Sequence, residues 1–336
     1  MSLTPWLARR ALQVKRWIER VFPGPTVAKF IEPYMGYATS EHLILRGRVL
    51  GSVRSEKASH STSRRVNALS MLRTFLTDEV ADAEVVAGGV TARTDEEGYF
   101  TLLLPRDTAL TGRGVTVSSG DATAECRVAI PGPDARFMVV SDIDDTVMKT
   151  GAYSMIKNLW TSFTGHPTTR HVFPDAVELM DFLHDDGRNP VYYVSSSPWN
   201  FYPFLRTVFQ LHDLPDAPMF LRDYGISETQ LIAGSHGDHK GSAIDTLAAA
   251  HPDLPMILIG DTGQHDAQVY ADAAERMPGR VAHVILHEPR SGALLSDQVD
   301  VDRLVALGVP VYVRDSYGQA IDAMRKIYFQ AGRTSP

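Results

Sequence analysis

Asp142 and Asp144 stand two residues apart where the apolar run Phe137-Met138-Val139-Val140 gives way to Ser141-Asp142-Ile143-Asp144-Asp145-Thr146. In extended backbone an i, i+2 spacing sends both carboxylates to one side of the chain. Two like charges held that close are unfavourable unless a cation sits between them or one of them is protonated. Hard cations take oxygen ligands, and Mg²⁺ with a phosphate is the usual solution. Asp also suits turns, so D-x-D-x-T on its own reads equally as an acidic turn after a strand. Partners further along the chain have to decide.

Three such partners follow. Pro190-Val191-Tyr192-Tyr193-Val194 ends in Ser195-Ser196-Ser197, short hydroxyls that can bond phosphate oxygens or, before Pro198, simply cap a helix. Gly237-Asp238-His239-Lys240-Gly241 opens a helix with a lysine, which the helix dipole disfavours unless an anion lies there. An ordinary solvated lysine is the alternative, and His236 and His239 read as loop histidines rather than metal ligands. Pro255-Met256-Ile257-Leu258-Ile259-Gly260-Asp261 again ends an apolar run in a carboxylate, with Asp266 five residues on. Gly260 lets the backbone approach a ligand, and Asp261 and Asp266 can share a divalent cation with the first pair.

These residues need a scaffold that brings strand ends together. From 134 to 330 strand and helix patterns alternate, the signature of a parallel sheet with crossover helices. Strands are expected at 137–142, 190–195, 218–221, 255–260, 281–286 and 309–313, and helices at 174–185, 199–210, 239–250, 264–276, 300–307 and 317–329. Such sheets hold ligands at their carboxyl edge. Residues 36–133 read instead as a small β-sandwich-like module, bounded by Pro131-Gly132-Pro133, with strands at 42–50, 84–86, 89–93, 99–104, 115–117 and around Cys126 and one helix over 67–80. Residues 1–35 read as a basic amphipathic helix and its exit. Leu7, Ala11, Val14, Ile18 and Val21 form the stripe and Pro23-Gly24-Pro25 the stop. That stripe packs on the protein or lies on an anionic membrane through residues 3–22. It lacks the apolar core and cleavage site of a secretory signal.

The net charge of −7 argues against a general nucleic-acid binder. Cys126, the one cysteine, fits a reducing compartment, so a cytoplasmic protein is expected, peripheral at the membrane surface if the first helix binds lipid. No stretch is apolar enough to span a bilayer.

The ordered set D-x-D-x-T, Ser, Lys, G-D-x-x-x-x-D resembles the haloacid dehalogenase phosphohydrolase superfamily. Within it, Tyr192 to Asn200, Phe220-Leu221-Arg222-Asp223, His239-Lys240 and Ile259 to Gly263 are similar to the App1-type phosphatidate phosphatase catalytic domain. Thr94, Asp95, Gly98, Tyr99 and Phe100 resemble a hairpin of transthyretin-like β-domains. The resemblance implies an α/β Rossmannoid parallel sheet with helices on both faces and little or no cap. It implies a Mg²⁺-dependent phosphatase acting through an aspartyl-phosphate. Asp142 is then the nucleophile and Asp144 the general acid and base. Thr146 orients the first loop, and Ser195 and Lys240 bind the phosphoryl group. Asp142, Asp144 (through its carbonyl), Asp261 and Asp266 surround the metal, and Ser196, Trp199, Asn200 and Arg222 are candidate substrate contacts. The family's Ile-Arg pair after the fifth strand is absent; Leu286-His287-Glu288-Pro289-Arg290 stands there, so any substrate-reading role of that Arg falls to Arg290 or His287, or the specificity differs. Phosphatidate is the leading substrate. The rivals are a soluble phosphomonoester, a phosphoprotein, and a membrane-associated binding protein that does not turn over. An open site suits a bulky headgroup, and Trp160, Phe163, Trp199 and Phe201 at its mouth either enter the acyl layer or pack on the β-module.

Overall fold

A computed structural model describes residues 30–51, 79–110, 112–149, 171–222, 236–288 and 294–329. The amphipathic helix at 3–22, the helix over 67–80 apart from its last two residues, Trp160, Phe163 and Arg290 lie outside the described residues.

The second half alternates as expected. Strands β8 (Met138–Asp142), β9 (Val191–Pro198), β10 (Met219–Arg222), β11 (Met256–Asp261), β12 (Val281–His287) and β13 (Val311–Arg314) form a six-stranded sheet in the order β10-β9-β8-β11-β12-β13, and every neighbouring pair in it is parallel. Helices α1 (Pro174–His184), α2 (Tyr202–Leu211), α3 (His236–Ala250), α4 (Asp266–Arg276), α5 (Leu294–Ala306) and α6 (Gly318–Met324) connect and follow them. Alternate strand residues point to opposite faces. Val139, Tyr193, Ile257 and Ile285 pack with α1, α2 and α6 in one core, whereas Val140, Tyr192, Leu258 and Val284 pack with α3, α4 and α5 in a second. A sheet covered on both faces explains why its strands read as unbroken apolar runs. The strand order reverses at β8, the place where doubly wound sheets open a crevice.

The described residues of the first half form strands only: β1 (Phe30–Ala38), β2 (His42–Leu50), β3 (Glu84–Ala87), β4 (Val90–Arg93), β5 (Tyr99–Pro105), β6 (Gly114–Ser119) and β7 (Ala122–Ala129). They join in one sheet, β4-β3-β6-β7-β1-β2-β5, mixed because β1 pairs parallel to β7. Leu43, Leu45, Val85, Phe100, Leu102, Val117 and Cys126 from across this sheet meet in a single core. The boundary drawn at residue 36 falls inside β1. Pro33 and Gly36 disguised that strand as a break, yet Pro33 pairs opposite Gly47, and a bulge follows between Tyr34 and Tyr37. A side chain at Gly36 would lie 2.2 Å from the Ile44 carbonyl, so only glycine allows β1 and β2 to close there.

Candidate active site

Strand β8 ends in Asp142, in register with Val194 of β9, while Ser141 pairs with Ile259 of β11. The carboxyl ends of the three central strands therefore meet at one edge. The chain then turns through Asp145 at φ 55°, a left-handed conformation that Asp tolerates better than most residues. The Asp145 N–H bonds the Met148 carbonyl at 2.8 Å. The Tyr317 hydroxyl donates to the Thr146 carbonyl at 3.0 Å. Thr146, fully buried, donates its hydroxyl to Asp142 Oδ2 at 3.3 Å.

On the other oxygen, Lys240 Nζ stands 2.9 Å from Asp142 Oδ1 and also contacts Asp266. Lys240 lies in the first turns of α3 and is buried, not solvated. Burial alone would lower its pKa, but Asp142, Asp266 and Asp261 together outweigh that and hold it raised and charged. Asp142, Asp261 and Asp266 each place a carboxylate oxygen within 4.8 Å of the others. Burial pushes the Asp142 carboxyl well up; Lys240 pulls it down, and the neighbouring carboxylates push it further up. Asp261 is pushed up to about 8 by burial and by Asp266. One lysine leaves this buried triad short of positive charge, and three hard oxygens at that separation can hold a metal ion.

Asp144 faces the other way. Its Oδ2 accepts the Ser195 hydroxyl at 2.8 Å and the Ser197 hydroxyl at 3.3 Å. Its Oδ1 is buried with no hydrogen-bond partner among the described residues. Burial raises its pKa against the lowering pull of the Ser195 hydrogen bond. The Asp144 carbonyl accepts the Gln264 amide at 2.9 Å, and the same nitrogen donates to Asp261 Oδ2 at 2.9 Å. Of the other residues expected to be catalytic, Thr146 and Lys240 touch Asp142, and Asp144 is tied to Asp261 through Gln264. Ser195 holds Asp144.

Two participants were missed. Ser197 was subsumed in a serine run that also reads as a cap. Gln264, at a helix start, gave no signal beyond its place between Asp261 and Asp266.

The substrate candidates distribute differently. Ser196 is buried between the two serines that hold Asp144, and Arg222 ends β10 beside Pro198. Trp199 stacks on Tyr34 of β1, with centroids 4.7 Å apart and planes 13° apart, and Phe201 is core. The two aromatics therefore pack inward, towards the β-module and the core, not into an acyl layer. The Asn200 carboxamide oxygen is taken by Arg48 and Tyr99. His287 donates Nδ1–H to the Asp145 carbonyl at 2.7 Å, so it braces the first loop; that nitrogen is not free to read a substrate. His239 donates to the Phe220 carbonyl at 3.3 Å.

Residues 137–288 match the family described as "Phosphatidate phosphatase APP1, catalytic domain". The chain is 26% identical over 148 residues to the phosphatidate phosphatase APP1 of Saccharomyces cerevisiae, covering 44% of this chain and 25% of that protein. It is 25% identical over 232 residues to an uncharacterized protein of Schizosaccharomyces pombe, covering 66% of this chain and 38% of that one. The chain thus spans well under half the length of either relative. Among solved structures, a carbohydrate acetylesterase from Xanthomonas citri aligns with a TM-score of 0.27 and 10% identity over 78% of this chain and 68% of that one, too slight a likeness to bear on the fold.

Proposed function

We propose that this protein, whose residues 137–288 match the phosphatidate phosphatase APP1 catalytic-domain family, hydrolyses a phosphomonoester, phosphatidate first among candidates, to release inorganic phosphate. The chemistry we assign is that of the haloacid dehalogenase superfamily. The observation that carries it is the Lys240 ammonium 2.9 Å from the Asp142 carboxylate, inside a triad completed by Asp261 and Asp266. Three distant stretches of sequence meet there, with no packing reason to bury three carboxylates and a lysine together.

Asp142 is positioned as nucleophile, one oxygen against Lys240 and the other against Thr146. Attack on phosphorus forms the Asp142 Oδ–P bond and breaks the bond from phosphorus to the ester oxygen. Asp144 has the arrangement of a general acid: two serine hydroxyls fix Oδ2, while Oδ1 is left open to carry a proton. It gives that proton to the departing alkoxide, then takes one from the water that cleaves the acyl phosphate. Lys240 offsets charge on the transferring phosphoryl group. Asp142, Asp261 and Asp266 would hold Mg²⁺, with the Asp144 carbonyl beside them. Bound there, the ion would offset the repulsion between the anionic nucleophile and the anionic phosphate. The unpartnered Asp144 Oδ1 and Thr262 Oγ1, both buried at this edge, fit a site that takes a further polar occupant.

The test is phosphate release from short-chain phosphatidate and from a panel of water-soluble phosphate esters, with Mg²⁺ and with chelator. Asp142→Asn should lose on the order of 10⁴-fold in rate while its melting curve persists. Full activity in that variant would remove the assignment. Preference for a soluble ester would move the substrate away from lipid. Among the described residues no helix is long and apolar enough to cross a membrane.

A further inference from the structure

The family match begins at residue 137, yet the residues that hold Asp144 are fastened to the β-module ahead of it. After Val194, β9 loses its partner on β8, because the register between those strands ends at Asp142 opposite Val194. Towards β10 it keeps only the pairing of Pro198 with Arg222, beyond an irregularity. The stretch Ser195-Ser196-Ser197 therefore lacks a full ladder on either side. Within it the Ser197 N–H donates to the Ser195 hydroxyl at 2.9 Å, and a second restraint comes from outside the segment.

That restraint is visible in the next turn, the 3₁₀ segment Trp199–Phe201. The Asn200 carboxamide oxygen accepts Arg48 Nη1 at 3.2 Å and the Tyr99 hydroxyl at 3.2 Å. Arg48 is 1% exposed and is itself fixed: Nε donates to the Glu97 carbonyl at 2.7 Å, Nη2 pairs with Glu79 at 2.9 Å, and the guanidinium lies 4.6 Å over the Tyr99 ring. On either side of Asn200, Trp199 stacks on Tyr34 and the Tyr202 hydroxyl accepts the Met35 N–H at 2.7 Å. A buried arginine aimed at one side-chain oxygen of another module is costly unless satisfied, so Asn200 is held hard.

We propose that Asn200 is a positioning residue for Asp144: Arg48 and Tyr99 hold Asn200, Asn200 anchors the Ser195–Ser197 segment, and the β-module is thereby part of the catalytic unit. The kinetic arm of its test rests on the phosphatase reading above; the exchange arm does not.

The experiment uses the full chain as wild type, Asn200→Ala, Asn200→Asp and Tyr99→Phe. Rates on p-nitrophenyl phosphate and short-chain phosphatidate are measured with Mg²⁺, alongside amide hydrogen exchange over residues 195–198. Asn200→Ala should lower kcat about tenfold on both substrates with KM within about twofold, since slight misplacement of a catalytic group costs rate rather than binding. Tyr99→Phe, which removes one donor only, should fall between it and wild type. Asn200→Asp, which keeps an oxygen for both donors, should recover most of the loss. Exchange over 195–198 should quicken about tenfold in Asn200→Ala and return towards wild type in Asn200→Asp. Unchanged kcat and exchange in Asn200→Ala would overturn the proposal. So would a rise in KM at constant kcat, which would make Asn200 a substrate contact, or a loss that Asp fails to recover. If the wild type hydrolyses neither ester, the phosphatase reading fails and the exchange result alone decides the positioning role.

Discussion

Asp144 and His251 show how burial sets the protonation of single residues here, and with opposite signs. Burial raises Asp144, so protonation favours the fold: that contribution is full at low pH and shrinks as pH climbs through its folded value. His251 behaves inversely. It closes the end of α3, where its ring meets the Tyr192 hydroxyl and its carbonyl accepts Arg280 Nη2 at 2.8 Å. Burial first, and the Arg280 charge second, hold its pKa down to about 4 against an ordinary 6.5. The neutral ring therefore adds stability that is complete above pH 6.5 and is lost as pH falls towards 4. Because the buried carboxylates move the other way, the effect is read as a difference. Wild type should exceed His251→Gln in melting temperature at pH 7, and that margin should narrow by about 2–4 °C at pH 4.5. Scanning calorimetry of both at the two pH values checks it, and a margin that holds or widens on acidification counts against the assignment. The residues of the site were legible because a carboxylate ending an apolar strand has no packing purpose. Ser197 and Gln264 were not, because serine and glutamine at helix starts are ordinary.

At the scale of elements, the geometry is made where strands stop. Gly260 is the penultimate residue of β11, and Asp266 opens α4 after His265 at φ 65°. That tight turn folds Asp266 back so that its Oδ2 accepts the Asp261 N–H at 3.1 Å. A methyl group on Gly260 would lie 2.4 Å from Asp266 Oδ2 and 2.8 Å from the Tyr270 hydroxyl, where nothing can sit without displacing them. Gly260→Ala should cost about 1–3 kcal/mol by overpacking. On the Mg²⁺ site proposed above, it should also raise the Mg²⁺ needed for half-maximal rate about tenfold, as a displaced ligand support would. A thermal melt and a Mg²⁺ titration measure the two effects, and wild-type values in both would show the contact to be slack. Most elements of this half were foreseen, since strands buried on both faces announce themselves as short apolar runs. The misses have local causes. The helix expected over 199–210 begins as a 3₁₀ turn, and Pro203 falls within the first two positions of α2. Helix α5 starts at Leu294, six residues before the expected position.

At the scale of the whole molecule, the two halves are not separable layers. Tyr34 belongs to the core built on α1, α2 and α6, while Tyr37 and Ile44 belong to the core built on α3, α4 and α5. Arg46 lies 4.4 Å over the Phe220 ring, and Arg127 pairs with Asp216 across the same seam. None of this was legible in the sequence. Periodicity says which face of a strand is apolar but not what will cover it, and Tyr34 and Tyr37 fell in no expected strand, so the chain read as separate modules in tandem. Two modules with private cores would melt in two steps. With shared cores, loss of the β-module strips aromatic partners from both faces of the parallel sheet, and burial of large rings contributes too much for that sheet to stand unchanged. Thermal unfolding of the whole chain should therefore be one cooperative transition, with calorimetric and van't Hoff enthalpies equal. Two resolved peaks, or a calorimetric enthalpy near twice the van't Hoff value, would mean that the seam transmits little energy and that the β-module melts by itself.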